Sequence, residues 1–170
     1  MKSRSVRFLT QTGLIAALYT ALTMVLAPFA FGPVQCRVGE SLTVLAAFTP
    51  AAVPGLTVGC MLSNLLGLAT GANVAGALDV LLGPLATGLA AWLSYRLRRV
   101  TWGGLPMLST LPPVLLNAVI IGAELTLVSP TPTGGMFLTQ MGLVGAGQLI
   151  ACVGGGLLLA KTIKKIADNR

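Results

Sequence analysis

The sequence predicts an all-α membrane protein with six transmembrane helices and with both termini in the cytoplasm. Of its 170 residues, 55% are hydrophobic and only 9% are charged, whereas soluble domains carry about 25% charged residues. Most of its basic residues form three groups, each beside an apolar segment, which is typical of cytoplasmic loops and tails. The groups are Lys2, Arg4 and Arg7; Arg96, Arg98 and Arg99; and Lys161, Lys164, Lys165 and Arg170.

The first helix is predicted over about 9–31, directly after the first basic group. A cleaved signal peptide also begins with basic residues, but its apolar region spans only roughly 7–15 residues. The apolar stretch from Phe8 to Phe31 is longer than that. We therefore expect it to be retained as a membrane span.

The apolar run 41–70 could cross the bilayer once or twice. As one helix it would extend about 45 Å, against a hydrocarbon core of about 30 Å. Two prolines in "TPAAVPG" (49–55) favour a break in the helix. Two spans also keep the second basic group in the cytoplasm, as the positive-inside rule requires. We predict two short helices, over 40–50 and 54–70.

The last three spans are predicted over 78–97, 107–128 and 137–162, giving a single membrane domain over residues 1–170. A helix as short as 40–50 persists in a bilayer only where its free backbone groups meet protein or a water-filled cavity. The glycine-rich segment 145–156 lacks a preceding strand and the G-x-G-x-x-G spacing. It therefore predicts close helix packing rather than a dinucleotide site.

Polar side chains recur in the outer half of the predicted spans. Three of the four acidic residues lie there, while Asp168 lies in the cytoplasmic tail. Because an ionised group at the centre of a membrane helix costs at least about 2.5–3.5 kcal/mol, we expect these side chains to converge on one outward-facing pocket. The predicted substrate-binding residues are Arg37, Glu40, Asn64, Asp79, Asn117, Glu124 and Gln148.

Most of these residues also have a structural interpretation. Arg37 and Glu40, three positions apart, could form an interfacial ion pair, and Asp79 could be stabilised by a helix dipole. The amides could bridge helices. Glu124 has no basic neighbour in sequence and no capping position, which favours a functional role. One positive and three negative groups would favour a cationic, donor-rich ligand such as the edge of a purine-like base.

Residue types also exclude several classes of function. With no histidine in the chain, neither a zinc site nor a histidine-dependent nucleophile is expected. Cys60 and Cys152 are predicted to be small buried apolar residues, and Cys36 is the only cysteine expected near the pocket. We predict no metal, no cofactor and no enzyme activity. Nucleic-acid binding is not expected, because the basic residues form no single patch.

Small residues stand at Gly13, Ala17 and Ala21, four positions apart on one face of the first helix. Such a stripe lets another helix approach closely. That helix could belong to this chain or to a separate membrane protein, and the sequence leaves both possibilities open.

Three segments resemble the QueT family: "VQCRVGESLTVLAAFTPAAVPGLTVGCMLSNLLG" (34–67), "LDVLLGPLATGLAAWLSYRLRR" (78–99) and "LPPVLLNAVIIGAEL" (111–125). The form usual in the first segment is QxRxSEALT. Here Val38-Gly39 stands before Glu40 where a small serine is expected, and the charged pair is kept. The resemblance covers most of the chain.

The resemblance implies a substrate-binding S component of an energy-coupling factor (ECF) transporter, assigned to queuosine precursors. Such a six-helix bundle would bind its ligand from outside and topple in the membrane to release it. A transmembrane coupling protein and two ATPase subunits would be its partners and would supply ATP hydrolysis. Ala17 and Ala21 match the family's AxxxA motif for the coupling protein. The implied ligand is a 7-deazaguanine such as preQ1, whose aminomethyl group is cationic.

Two other functions stay open at this point. The chain could be an S component for another vitamin. It could also be a stand-alone ion-coupled carrier with Asp79 and Glu124 as a relay. A carrier of that kind also needs polar groups through the inner leaflet, where the sequence has few.

Overall fold

The computed structural model describes residues 2–32 and 35–169, and their regular elements are helices apart from one isolated bridge between Trp102 and Leu105. The α-helices are α1 (Lys2–Val25), α2 (Ala27–Ala30), α3 (Ala52–Ala69), α4 (Asp79–Leu97), α5 (Leu111–Leu127), α6 (Gly134–Gln148) and α7 (Gly156–Asp168). Two 3₁₀ helices cover Val38–Ala47 and Met107–Thr110, and the π-helical segment Leu149–Gly155 joins α6 to α7.

Five helical segments in the described ranges are long and apolar enough to cross a membrane, which confirms the predicted all-α membrane fold. They are Arg4–Val25, Ala52–Ala69, Asp79–Leu97, Met107–Leu127 and Gly134–Asp168. The sixth predicted span corresponds to the shorter apolar helix Val38–Ala47.

The predicted break in the run 41–70 is confirmed, but the helix before it differs from the prediction. Val38–Ala47 is a 3₁₀ helix of 10 residues, so it extends only about 20 Å, less than the hydrocarbon thickness of about 30 Å. Its residues from Gly39 to Val44 are buried. Other parts of the chain therefore surround the backbone of this short segment, as a membrane setting requires.

The first predicted span also ends differently. Helix α1 ends at Val25 rather than near residue 31, and the short helix α2 follows with Pro28 in its first turn. Proline is tolerated there because a first-turn residue has no intrahelical partner for its N–H group. The last predicted span is longer than expected and contains a π-helical segment at its centre.

Helices α1 and α3 run in the same direction in close contact. Gly59 of α3 faces Ala16 and Tyr19, and a Cβ atom there would come within 2.8 Å of the Tyr19 Cβ. Further along α3, Gly67 faces the ring of Phe31, which directly follows α2. Glycine is required at this contact because any side chain would force the two helices apart.

The 3₁₀ helix Val38–Ala47 lies at the centre of the bundle, between α1, α3 and α4 on one side and the π-helical segment on the other. A Cβ atom at Gly155 would come within 3.1 Å of the Ser41 Cβ, and one at Gly156 within 3.4 Å of the Ser41 carbonyl oxygen. The glycine-rich segment 145–156 therefore packs closely against a neighbouring helix, as predicted.

The three basic groups lie at one end of the bundle. Helix α4 runs antiparallel to α3, since Gly83 and Gly88 face Asn64 and Thr57 in reverse order. Its basic end therefore lies beside the beginning of α1, and Lys164 of α7 contacts the loop that follows α4. Arg170 lies outside the described residues. Which side of the membrane this end faces stays a prediction.

Candidate functional site

Arg37 precedes the 3₁₀ helix and forms an ion pair with Asp79, the first residue of α4. Only 2% of the Arg37 side chain and none of the Asp79 side chain is exposed. The guanidinium group also donates to the carbonyl oxygen of Ala30 (3.4 Å) and lies 5.4 Å from the centroid of the Phe31 ring. The Arg37 side chain thus links the segment around α2 with helix α4. The alternative prediction, an ion pair between Arg37 and Glu40, is wrong.

Two asparagines complete the surroundings of Asp79. Asn64 of α3 donates to its backbone carbonyl oxygen (2.6 Å), and Asn73 donates to its Oδ2 atom (3.1 Å). A side chain at Gly83 would collide with Asn64 and Asp79. The glycine therefore lets α4 approach α3 closely enough for these contacts.

Glu40 is held by a second, separate network. Its carboxylate accepts hydrogen bonds from the hydroxyls of Tyr19 (2.7 Å), Thr87 (2.6 Å) and Thr43 (3.1 Å). None of the Glu40 side chain is exposed. Hydrogen bonds to an ionised carboxylate are stronger than those between neutral groups. Three of them offset part of the cost of burying this charge and join α1 and α4 to the 3₁₀ helix.

Replacing Thr87 by valine should destabilise the protein by about 1.5–3 kcal/mol, because a buried carboxylate loses one of its donors without a change in side-chain shape. Thermal unfolding in detergent measures the effect. Thr57→Val is the matched control, since the Thr57 hydroxyl donates within its own helix to the carbonyl oxygen of Val53. Equal melting temperatures for the two variants would contradict this account of Glu40.

Gln148 reaches the same region through a cysteine. The thiol of Cys152 lies within hydrogen-bond distance of the Gln148 side-chain oxygen (3.2 Å) and of the Glu40 backbone carbonyl oxygen (3.6 Å), and its single proton can be donated to either. Cys60 lies against the other network, 3.9 Å from a guanidinium nitrogen of Arg37. The expectation that Cys36 alone would lie near the site is therefore wrong, because both buried cysteines contact it.

Glu124 and Asn117 on α5 differ from the residues above. Each side chain is only 1% exposed, yet neither has a hydrogen-bond partner for its polar side-chain atoms within residues 2–32 and 35–169. Helix α5, which carries both residues, packs against α4. Neither side chain takes part in the hydrogen bonds of the two networks.

All seven predicted pocket residues are buried, and most of them lie together. Asn64 and the Arg37–Asp79 pair form one hydrogen-bonded network. Glu40 of the 3₁₀ helix belongs to another, which Gln148 of α6 reaches through Cys152. Helix α5 adds the remaining two, Asn117 and Glu124. The structure shows burial and convergence, and ligand contact at these positions stays a prediction.

Sequence reasoning missed Tyr19, Asn73 and Thr87. A tyrosine buried in a membrane helix normally needs a partner for its hydroxyl, which is a signal that could have identified Tyr19. Asn73 stands in the loop before Asp79, close enough in sequence to be considered with it. Thr87 carries no such signal, because threonines are common in these helices and only the fold brings this one to Glu40.

The small-residue stripe on α1 faces outward. Gly13, Ala17 and Ala21 are exposed, whereas Ala16 and Tyr19 on the opposite face pack against α3. Only 22% of the apolar stretch of α1 is buried, compared with 39–56% in the other four long helices. The interpretation that the stripe packs within this chain is therefore wrong, and docking to another protein stays a prediction.

Comparison with known proteins identifies the family. A sequence model described as QueT transporter matches residues 9–165, nearly the whole chain.

The chain belongs to the QueT transporter family. It is also 28% identical over 180 aligned residues to a protein of Lactococcus lactis subsp. cremoris (strain MG1363) named "Queuosine precursor transporter QueT". The alignment covers all of both chains. No solved structure resembles this chain closely enough to count as a match.

Family membership and the five long apolar helices together define the protein as a multi-pass transporter of the bacterial plasma membrane. The two buried networks and the unpartnered side chains of α5 lie at the centre of this QueT-family bundle. They form its candidate substrate site.

Proposed function

We propose that this chain is the substrate-binding S component of an ECF transporter and that it captures a queuosine precursor from outside the cell. The proposed ligand is a 7-deazaguanine such as preQ1. A QueT-family relative that aligns over its full length carries the name of a queuosine precursor transporter. The observation that supports the proposal most is a buried polar region with two acidic residues beyond the Arg37–Asp79 pair.

The charges of this region suit a cationic ligand. Arg37 and Asp79 neutralise each other as a pair, which leaves Glu40 and Glu124 as excess negative groups if both are ionised. A buried carboxylate is stabilised by a nearby cation that donates hydrogen bonds to it. The aminomethyl group of preQ1 provides such a cation, and the base provides further donors.

Uptake of radiolabelled preQ1 into proteoliposomes tests the proposal. One set of vesicles would contain the chain alone, and a second set would contain the chain with its coupling protein and two ATPases. Both sets would be measured with ATP and without ATP in the compartment that the ATPases face. We expect uptake only with the complete assembly and ATP. Uptake by the chain alone without ATP would favour the ion-coupled carrier, and uptake of a different vitamin by the complete assembly would favour the other alternative.

The exposed stripe on α1 supports the proposed partner. In this arrangement the coupling protein would lie against Gly13, Ala17 and Ala21, where the absence of large side chains permits a close approach. The stripe is a feature of the surface rather than of the site, so it can be changed without altering ligand contacts.

Replacing Ala17 by leucine should therefore reduce ATP-dependent uptake at least tenfold while leaving preQ1 affinity within about twofold of the wild type. The added side chain prevents close approach of a partner helix, but it lies on the opposite face of α1 from Tyr19. Ala146→Leu, at an exposed position of α6, is the matched control and should transport normally. Normal uptake by the Ala17 variant would remove this stripe from the proposed interface.

A further inference from the structure

The four buried charged residues divide into two kinds. Arg37, Asp79 and Glu40 each have at least two polar partners. Glu124 is equally buried, but its carboxylate oxygens accept no hydrogen bond from the described residues. A buried carboxylate without hydrogen-bond donors is costly. Glu124 is the acidic residue with both carboxylate oxygens free to receive a ligand, whereas Asp79 has only its Oδ1 atom without a partner among the described residues.

Asn117 has the same property and a defined position relative to Glu124. The two residues are seven positions apart on α5, which is two helical turns or about 10 Å along the axis, and they share one face. Ile121 lies between them on the buried side of the helix and belongs to an apolar cluster that includes Ala86 of α4 and Val144 of α6. The buried face of α5 therefore carries an unpartnered polar group on each side of an apolar residue.

We infer that the ligand lies along α5 with its cationic aminomethyl group at Glu124 and the pyrimidine edge of its base at Asn117. This inference depends on the proposed function. The spacing of about 10 Å suits a bicyclic base with a hydrogen bond of about 3 Å at each end. The amide of Asn117 can donate to the ring carbonyl and accept from a ring N–H group.

The opposite orientation is unfavourable for the cation. It would place the ammonium group beside the neutral amide of Asn117, and burial of a charge without a counter-charge is expensive. Glu40 cannot replace Glu124 in this role, because three hydroxyls already occupy its carboxylate. Asp79 has one oxygen, Oδ1, without a partner among the described residues, but Arg37 already compensates its charge.

This orientation makes Glu124 a specificity-determining residue. It should favour preQ1, which carries an amine, over preQ0, which has a neutral nitrile at the same position of the same base. Asn117 should contribute equally to both ligands, since their pyrimidine edges are identical. The two residues therefore have separable effects on binding.

The test is calorimetric titration of preQ1 and preQ0 into the wild-type chain and the variants Glu124→Gln and Asn117→Ala. Glu124→Gln should weaken preQ1 binding more than tenfold and change preQ0 binding less than threefold. Asn117→Ala should weaken both ligands by a similar factor, about fivefold for one or two lost neutral hydrogen bonds. Thr126→Val, whose hydroxyl donates to Gly122 of its own helix, should change neither affinity.

Equal losses of preQ1 and preQ0 binding in Glu124→Gln would overturn the orientation while leaving the proposed function intact. A selective loss of preQ1 binding in Asn117→Ala would overturn the orientation in the same way. Failure of the folded wild-type chain to bind either base would instead contradict the proposed function. Melting temperatures of all the variants separate lost contacts from lost folding.

Discussion

Replacing Arg37 by methionine is expected to lower the free energy of unfolding by about 3–5 kcal/mol. The substitution leaves Asp79 as a buried charge without its counter-ion, and breaking such a pair costs this much in proteins. Both side chains are almost fully enclosed, so solvent does not screen the effect. The variant should be recovered from membranes in low yield and melt well below the wild type.

A thiol-reactive fluorophore measures this unfolding directly. Cys36 is only half-buried, so the assay uses a Cys36→Ala background, in which the remaining Cys60 and Cys152 are buried in the folded chain and should become reactive when it unfolds. The double variant Arg37→Met/Asp79→Asn removes both charges and should recover at least half of the lost stability. Asp168→Asn, which removes an exposed carboxylate near the C-terminus, should melt as the wild type does. A double variant no more stable than Arg37→Met would contradict the ion pair as the source of the loss.

The variant Glu124→Gln should show opposite effects on stability and on binding. Its melting temperature should equal or exceed that of the wild type, because a neutral amide replaces a buried carboxylate that has no partner among the described residues. Its affinity for preQ1 should nevertheless fall more than tenfold, since the ligand's cation loses its counter-charge. Thermal shift and calorimetric titration on the same preparation measure the two quantities.

Glu40 provides the comparison for this prediction. Glu40→Gln should lower the melting temperature, because the amide nitrogen cannot accept the hydrogen bonds that its carboxylate receives from Tyr19, Thr43 and Thr87. If Glu124→Gln binds preQ1 as tightly as the wild type, Glu124 does not belong to the binding site. If it is also strongly destabilised, its role is structural like that of Glu40.

The helical membrane fold follows from composition and from charge placement, and both can be read without a structure. The prolines of "TPAAVPG" and the second basic group together required a break in the run 41–70, and the chain turns there. The conformation of Val38–Ala47 did not follow in the same way. Apolar content shows that a segment is buried, but it does not distinguish a 3₁₀ helix from an α-helix.

The buried polar residues were predicted from the sequence more completely than the contacts between them. Depth along each helix was enough to select Arg37, Glu40, Asp79 and Glu124 as residues that need an explanation inside a membrane. Which acid pairs with the arginine depends on the approach of α3 to α4, and a contact at Gly83 permits that approach. Sequence neighbours alone would have paired Arg37 with Glu40.

Missing members of the site had weak signals for a physical reason. Threonines in membrane helices can donate to the carbonyl of the preceding turn, as Thr57 and Thr126 do here, so a threonine alone gives no indication of a distant partner. Thr87 donates instead to Glu40, far away in sequence. Such a contact becomes visible only once the helices are packed.

The central claim is that side chains from separate helices of this QueT-family protein converge to hold a cationic 7-deazaguanine. Calorimetric titration of preQ1 into the purified wild-type chain, reconstituted in lipid nanodiscs without any partner subunit, tests this claim most directly. We predict one saturable site per chain with a nanomolar to micromolar dissociation constant. Absence of saturable binding at millimolar preQ1, in a preparation that melts cooperatively, would contradict it.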